Sequence, residues 1–223
     1  MGIKKEGKPE ILTKVSTTPE NVSKDRYLYV YGITNNKDIK LDFKGLNYQP
    51  IQQLELKDIT VLFSFYPTLH PIVEEKEALL HAEILNKLAG KITIVPMAFG
   101  TVFKDQEILK IVLSKSYPAA KKTLELIKDK MELGIKVIKK EGMLEEANPE
   151  ILTELNKLSV KSIAGGKFSE RLLLNNSFLV EKKNFAQFSD KVGELEQKYP
   201  NLKFLYTGPW PAYSFVNINI KAG

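Results

Sequence analysis

A stiff segment near the carboxyl terminus restricts the possible folds more than any other part of this sequence. Residues 207–216 read Thr-Gly-Pro-Trp-Pro-Ala-Tyr-Ser-Phe-Val, with the only tryptophan of the chain between two prolines. Each proline fixes its own φ and pushes the preceding residue toward extended backbone. We therefore predict a corner between strands Leu202–Thr207 and Tyr213–Ile220, with Trp210 either filling a core or standing exposed as an aromatic platform. The general preference of X–Pro bonds predicts trans peptides here.

Length and residue usage set broad limits. A chain of 223 residues forms one large or two small domains with a proper hydrophobic core. The absence of cysteine excludes disulfides, thiolate metal sites and cysteine nucleophiles, and it fits a reducing compartment. No apolar run is long enough to span a bilayer, and the amino terminus lacks the apolar core of a signal peptide. We predict a soluble, cytoplasmic protein without a membrane partner.

The net charge of +6 raises the question of nucleic-acid binding. The basic residues alternate with acidic ones, which is typical of a solvated surface. The densest basic pairs, 121–122, 139–140 and 182–183, fall in different predicted elements, and none is flanked by aromatic residues for base stacking. The sequence therefore predicts no nucleic-acid partner.

Hydrophobic periodicity predicts an α+β protein with two α/β-type subdomains joined by helices. Residues 1–26 are polar and aperiodic, which predicts a disordered tail. Residues 27–104 form an N-terminal α+β domain, with helices expected on one face of its sheet. Its predicted elements are strands Tyr27–Ile33, Ile51–Leu56, Ile59–Tyr66 and Ile92–Val95, and a helix over Val73–Leu88.

Residues 105–131 are predicted to form a helical connector, broken near Ser116–Pro118. Residues 132–223 then form a C-terminal domain, predicted as a rearranged or modified ferredoxin-like fold. In the last helix, Phe185, Phe188, Val192, Leu195 and Tyr199 form a core-facing stripe. The other predicted elements are strand Leu133–Ile138, a helix begun by Asn148-Pro149, a short helix from Ser169, strand Phe178–Glu181 and the last helix, from Asn184.

Residue patterns for catalysis are missing. The chain has two histidines, His70 and His81, and no G-x-S-x-G segment or phosphate-binding loop. His81 lies on the apolar side of its predicted helix, where a histidine is usually a partly buried core residue. The carboxylates near His81 have the pattern of helix-surface charge, and the two histidines lack metal-ligand spacing. We predict a non-enzymatic protein without metal or cofactor.

Two segments carry a family resemblance. Residues 94–103, Ile-Val-Pro-Met-Ala-Phe-Gly-Thr-Val-Phe, and residues 208–216 resemble the two signature segments of the gas vesicle protein F/L family, in the same order and at a similar separation. The resemblance covers about residues 27–216. Ala98 and Ala212 depart from it, since the family commonly has arginine and proline there. Gly100 is expected to serve a tight backbone bend.

The resemblance implies an accessory protein of gas vesicle formation that binds the small hydrophobic shell protein and, in addition, other accessory proteins. Its location would be the gas vesicle and the cytoplasm. We expect an exposed sheet edge or an aromatic-lined groove to bind the shell subunit, by strand addition or by helix-in-groove docking. The candidate contacts are apolar residues of the two signature segments and the terminal strand: Phe99, Phe103, Trp210, Tyr213, Val216, Ile218 and Ile220.

Two other functions are compatible with a protein of this class. Paired ferredoxin-like halves also build α+β barrels that bind haem or small ligands, for which His81 is the sole helical candidate. A four-stranded sheet with two helices also describes an RNA-binding module, although the sequence has no aromatic signature of such a module on any strand.

Overall fold

A computed structural model describes residues 26–72, 74–142 and 149–218, which contain two antiparallel sheets and four α-helices. The predicted α+β class is confirmed. Residues 1–25 of the predicted tail lie outside the described residues. The strands are β1 (Tyr27–Thr34), β2 (Gln52–Leu56), β3 (Ile59–Tyr66), β4 (Ile94–Pro96), β5 (Val102–Phe103), β6 (Lys130–Lys139), β7 (Lys161–Ala164), β8 (Leu172–Glu181) and β9 (Leu202–Trp210). The helices are α1 (Glu75–Lys91), α2 (Gln106–Ile127), α3 (Pro149–Lys157) and α4 (Phe185–Lys198).

The first sheet has the order β2-β3-β1, and both β4 and β5 pair with the free side of β1. Leu28 and Val30 of β1 pack on the side of α2, whereas Tyr29 and Tyr31 pack on the side of α1. The expectation of helices on one face is therefore wrong. Seven of the eight β1 residues are buried because helices cover both faces of the strand. A strand in this position is apolar along most of its length.

Helix α2 runs without interruption through Pro118, so the break predicted near residues 116–118 is wrong. Proline removes one helical hydrogen bond, but packing on both sides of Pro118 holds the helix to the first sheet. Leu109 and Leu113 before the proline, and Leu124 after it, are buried in one core. Asp105 caps the amino end, its Oδ1 accepting from the Ile108 backbone N–H at 2.8 Å.

The second sheet has the order β7-β8-β6-β9, and its chain order is β-α-β-β-α-β. That is the element order of a ferredoxin-like unit. The short helix predicted from Ser169 is wrong, because residues 161–181 form the β7–β8 hairpin instead. Its turn is fixed by Asn175, which accepts from the Gly165 N–H at 2.7 Å through its carbonyl and donates through its side chain to the Gly166 carbonyl at 2.8 Å.

Helices α3 and α4 cover one face of the second sheet, where the predicted α4 residues Phe188, Val192 and Leu195 are buried. The opposite face, which we call the far face, includes Glu132, Gly134 and Lys136 of β6 together with the residues that pair with them on β8 and β9. One of these, Leu179 on β8, is buried in the same core as α2 and the first sheet. The two sheets therefore share a hydrophobic core.

Candidate functional site

The first signature segment forms a bulge in the outer strand of the first sheet. Strands β4 and β5 flank residues 97–101, where the Met97 N–H donates to the Tyr31 carbonyl and the Val30 N–H to the Thr101 carbonyl, both at 2.9 Å. The bulge closes on itself through the Thr101 hydroxyl, which donates to the Ala98 carbonyl at 2.8 Å. The expected bend at Gly100 is present, with φ of +82°. A bulge of this kind blunts a sheet edge against pairing with another strand.

His81 ties this bulge to α1 and β1. Its Nε2 donates to the Met97 carbonyl at 3.1 Å, and its Nδ1 accepts from the Tyr29 hydroxyl at 2.8 Å. The same hydroxyl accepts from the Gly100 N–H at 3.2 Å. Burial disfavours the charged imidazole and lowers the pKa of His81 to about 4, so the ring is neutral at neutral pH.

The prediction that His81 is a core residue is confirmed, since its side chain is 2% exposed. Both ring nitrogens already have partners within the protein, and the rings of Tyr29, Tyr31 and Phe99 pack around it. This arrangement leaves no free nitrogen for a haem iron or for proton transfer to a substrate. It therefore argues against the barrel-enzyme alternative at the residue that alternative needed.

The two aromatic residues of the first signature differ in exposure. Phe99 is half-buried, with its ring centroid 5.8 Å from that of His81. Phe103 is 0% exposed and packs in the shared core. Phe103 therefore offers no surface to a partner in this structure, because β5 pairs with β1 and directs this ring inward.

The second signature segment leaves β9 in a tight turn over β6. Gly208 has a φ of +107°, and a Cβ added there would lie 2.8 Å from the Glu132 carbonyl oxygen. Only glycine fits that close approach at this φ. The Gly208–Pro209 peptide bond is cis, so the expectation of trans is wrong at Pro209.

A buried carboxylate anchors the segment after the turn. Glu132 is 8% exposed; its Oε2 accepts from the Ser214 N–H at 2.8 Å, and its Oε1 accepts from the Ser214 hydroxyl at 2.6 Å. Residues Tyr213–Phe215 form a 3-10 turn, and Phe215 is buried in the shared core. The predicted strand Tyr213–Ile220 is therefore wrong over its described residues, 213–218, because this anchor and Phe215 draw the chain onto the core.

Sequence reasoning did not identify Glu132 or its partner. The available signal was one acidic residue inside a run of residues, Met131 to Ile135, that are otherwise small or apolar. A charged residue that is almost fully buried needs hydrogen-bond donors, and the Ser214 backbone and side chain provide them.

The corner residues remain accessible. Trp210 is 44% exposed and Tyr213 is 38% exposed, so the platform alternative describes Trp210 better than the core alternative. Burial of the phenol raises the pKa of Tyr213 to about 12, which keeps its hydroxyl protonated at neutral pH. Val216 and Ile218 are half-buried against the shared core, and Ile220 lies outside the described residues.

The nine-residue strand β9 lies at the edge of the second sheet, and its residues from Leu205 to Trp210 are all exposed. The edges of the other described strands are less available. At the other edge of the second sheet, opposite β9, strand β7 has only four residues. In the first sheet, the bulge interrupts the β4–β5 edge. On β2, the Gln53 side-chain amide binds the backbone N–H and carbonyl of Ile39, which lies beside the strand, each at 3.0 Å.

Two further features of the described residues concern metal binding and membrane insertion. Within residues 26–72, 74–142 and 149–218, no group of three or more histidine or acidic side chains is placed to hold a metal ion. No helix in this part of the chain has the length and apolar character that crossing a membrane requires.

Comparison with known proteins decides the family. The model of the family described as "Gas vesicle synthesis protein GvpL/GvpF" matches residues 27–151 and 140–217, which include both signature segments. The chain belongs to the GvpL/GvpF family. Gas vesicle protein F1 of Halobacterium salinarum is 31% identical over 202 residues, covering 87% of this chain and 95% of that protein. Gas vesicle protein F of Haloferax mediterranei is 30% identical, with the same coverage of both chains.

Solved structures of the GvpL/GvpF family have the same fold. The crystal structure of GvpF from Anabaena sp. PCC7120 superimposes with a TM-score of 0.76 at 19% identity, over 89% of this chain and 99% of that one. GvpF from Microcystis aeruginosa gives a TM-score of 0.72 at 16% identity, over 86% and 99%. The predicted family is thus confirmed, and with it a role in gas vesicle formation.

Proposed function

We propose that this protein is a non-enzymatic accessory protein of gas vesicle assembly that binds the small hydrophobic shell protein. It would work at the gas vesicle and in the surrounding cytoplasm, alongside other accessory proteins of the vesicle. Membership of the GvpL/GvpF family supports the role in gas vesicle formation. The observation that carries the binding role is the exposed edge of β9, which ends at the anchored corner with Trp210.

A shell subunit needs such a partner for a physical reason. A protein that polymerises into a water-excluding wall presents apolar surface and unpaired strand edges before it is assembled. Strand β9 offers backbone N–H and carbonyl groups for strand addition, with Leu205, Tyr206 and Trp210 as exposed apolar side chains. Pro209 near the end of β9 has no backbone N–H to pair, so we place the added strand before it.

The aromatic corner would provide the strongest contact. Trp210 and Tyr213 are held in place by the turn at Gly208 and by the Glu132–Ser214 bonds, so little side-chain freedom is lost when a partner binds. Partly exposed tryptophan and tyrosine of this kind often dominate binding energies. Phe99, Val216, Ile218 and Ile220 remain candidates for further contacts around this corner.

The test is co-purification of the folded protein with the shell protein. Trp210→Ala and Leu205→Lys should each weaken binding at least roughly tenfold, the effect expected for interface residues worth about 1.4 kcal/mol or more. Because Trp210 is 44% exposed, its replacement should lower the free energy of unfolding by far less than the about 3–5 kcal/mol of a core tryptophan. Tyr48→Ala is the matched control, since Tyr48 is 85% exposed in the segment between β1 and β2, away from β9.

Full binding by the folded Trp210→Ala and Leu205→Lys variants would refute the β9 surface as the binding site. An equal loss in the Tyr48→Ala control would also contradict it, because the effect would then be general to exposed aromatic residues. Ile218→Asp is a less decisive variant, since this side chain packs partly against the shared core and its replacement affects folding.

A further inference from the structure

A groove of about 320 Å³ lies on the far face, next to β9. Strands β6, β8 and β9 all contribute to it, and Trp210 stands at one end. Gly134 has no side chain to fill its floor, and the Thr207 hydroxyl leans over the backbone there. The volume lies within the range of sites that hold a few side chains or a small ligand. Its lining includes Gly134, Lys136, Ser177, Leu205, Thr207 and Trp210.

The lining divides into an apolar part and a cationic part. Trp210 and Leu205, both partly exposed, form the apolar part. Lys136 is exposed, and it makes no ion pair with any described residue; its Nζ lies 5.3 Å from the ring centroid of Phe168, which is itself 73% exposed. The acidic lining residue, Glu132, is buried and already bonded to Ser214. The accessible charge in the groove is therefore positive.

Strand β9 adds a second cation in register with the groove. Lys203, Leu205 and Thr207 are two residues apart, so their side chains point to the same face of β9. Lys136 pairs with Leu205 across the β6–β9 ladder. Along this face a cation, an apolar side chain and a hydroxyl follow one another at the spacing at which an extended peptide presents every second side chain.

We propose that the groove binds an acidic peptide segment in extended form, in which every second residue faces the groove and these residues are two carboxylates followed by an apolar side chain. The carboxylates would meet Lys203 and Lys136, and the apolar side chain would pack between Leu205 and Trp210. The occupant follows from charge complementarity: the groove carries accessible cations and the whole chain has a net charge of +6. The inference rests on the proposed function, since it states which kind of peptide segment the partner would place alongside β9.

The only tryptophan of the chain lines this groove, so its fluorescence reports occupancy directly. The probe is a short acetylated and amidated peptide with threonine at alternate positions and glutamate, glutamate and leucine, in that order, at the positions between them. We expect its addition to shift the Trp210 emission to shorter wavelength and to protect it from acrylamide, because the indole leaves water. A second peptide with lysine in place of glutamate should bind much more weakly.

Lys136→Glu tests the role of charge. It should weaken the acidic peptide roughly tenfold, since it removes an ion pair and adds a like-charge contact. Lys110→Glu, at another exposed lysine, on α2, is the matched control and should leave peptide affinity unchanged. Circular dichroism establishes that both variants are folded.

Several results would overturn the proposal. These are an unchanged Trp210 signal at saturating peptide, equal binding of the lysine peptide, equal loss in both variants, or displacement of the acidic peptide by oligothymidylate, which would indicate a nucleic-acid site. Co-purification with the shell protein is measured in parallel. If the peptide binds in a Lys136-dependent way but the shell protein does not bind, the proposed function is refuted and the peptide site stands. If the shell protein binds but the peptide does not, only the peptide site is refuted.

Discussion

Two buried polar residues, His81 and Glu132, hold the two signature segments in place. Each lies on a regular element and bonds to a segment distant in the chain: His81 to the bulge at Met97, and Glu132 to the turn at Ser214. A buried polar group without partners is costly, so these residues stabilise the fold only while their loops are in place. Each signature is thereby coupled to the core.

The protonation of His81 makes stability dependent on pH. Its folded pKa of about 4 lies below the ordinary value of 6.5, because the buried ring favours the neutral form. The folded state therefore loses stability relative to the unfolded state as the pH falls from 6.5 toward 4. The full loss is about 3 kcal/mol, taking 1.36 kcal/mol per pKa unit.

His81→Gln removes this titration and should reveal it by difference. The free energy of unfolding of each protein is measured with urea. The difference between wild type and variant should be largest above pH 6.5 and about 3 kcal/mol smaller at pH 4. Other acidic and basic groups titrate in both proteins and cancel. A difference that stays constant over this range would contradict the assignment of His81 as a buried neutral ring.

At the scale of elements, the corner between β9 and the core is the feature that keeps Trp210 and Tyr213 exposed. Three interactions act together: the close approach of Gly208 to β6, the Glu132–Ser214 bonds, and the burial of Phe215. The first two fix the backbone before and after the prolines, and the third prevents the chain from continuing as a strand. The platform is thus positioned by rigid neighbours.

Glu132→Gln should loosen this corner without changing its shape. The amide oxygen still accepts from the Ser214 N–H, and the amide NH2 donates to the Ser214 hydroxyl, so two charge-assisted bonds become weaker neutral ones, at a cost of about 1–2 kcal/mol. Hydrogen exchange at the Ser214 backbone amide should accelerate accordingly. Glu55→Gln, on the exposed β2, is the control and should change stability by no more than about 0.5 kcal/mol. Unchanged exchange at Ser214 would show that Glu132 does not anchor the segment.

On the scale of the whole molecule, one core joins the two sheets. Leu179 of β8, together with Ala212 and Phe215 of the corner, packs with α2 and the first sheet. On the opposite side of the first sheet, the Lys182 Nζ donates to the Ala89 carbonyl near the end of α1, at 3.1 Å. Each sheet also has a cluster of its own on its other face, but this shared core couples the two, and we expect the whole molecule to unfold together.

Phe215→Ala tests that coupling. The loss of a buried phenylalanine should lower the free energy of unfolding by about 3–5 kcal/mol. Unfolding is followed by Trp210 fluorescence, which reports the second sheet, and by far-ultraviolet circular dichroism, which reports the helices and strands of the whole molecule. The two transitions should coincide in wild type and in the variant. Phe168→Ala is the control, because this ring is 73% exposed. Two separate transitions would show that the halves are independent.

Local patterns were sufficient for the family, the α+β class, most strands and the buried stripe of α4 at Phe188, Val192 and Leu195. They were also sufficient for the bend at Gly100 and the buried state of His81. In each case the deciding interactions involve residues close in sequence: strand alternation, helical spacing, or the backbone freedom of one glycine. Such features are encoded within a few residues, so a single sequence reveals them.

Contacts between distant parts of the chain decided the rest. Packing against the first sheet keeps α2 intact through Pro118, where local propensity favours a break. The chain after Pro211 turns onto the core because Glu132, 82 positions away from Ser214, supplies the acceptor that holds it there. The exposure of Trp210 follows from that same anchor. A long-range pairing leaves no periodic trace near either residue, so only the folded chain determines which side chains remain at the surface.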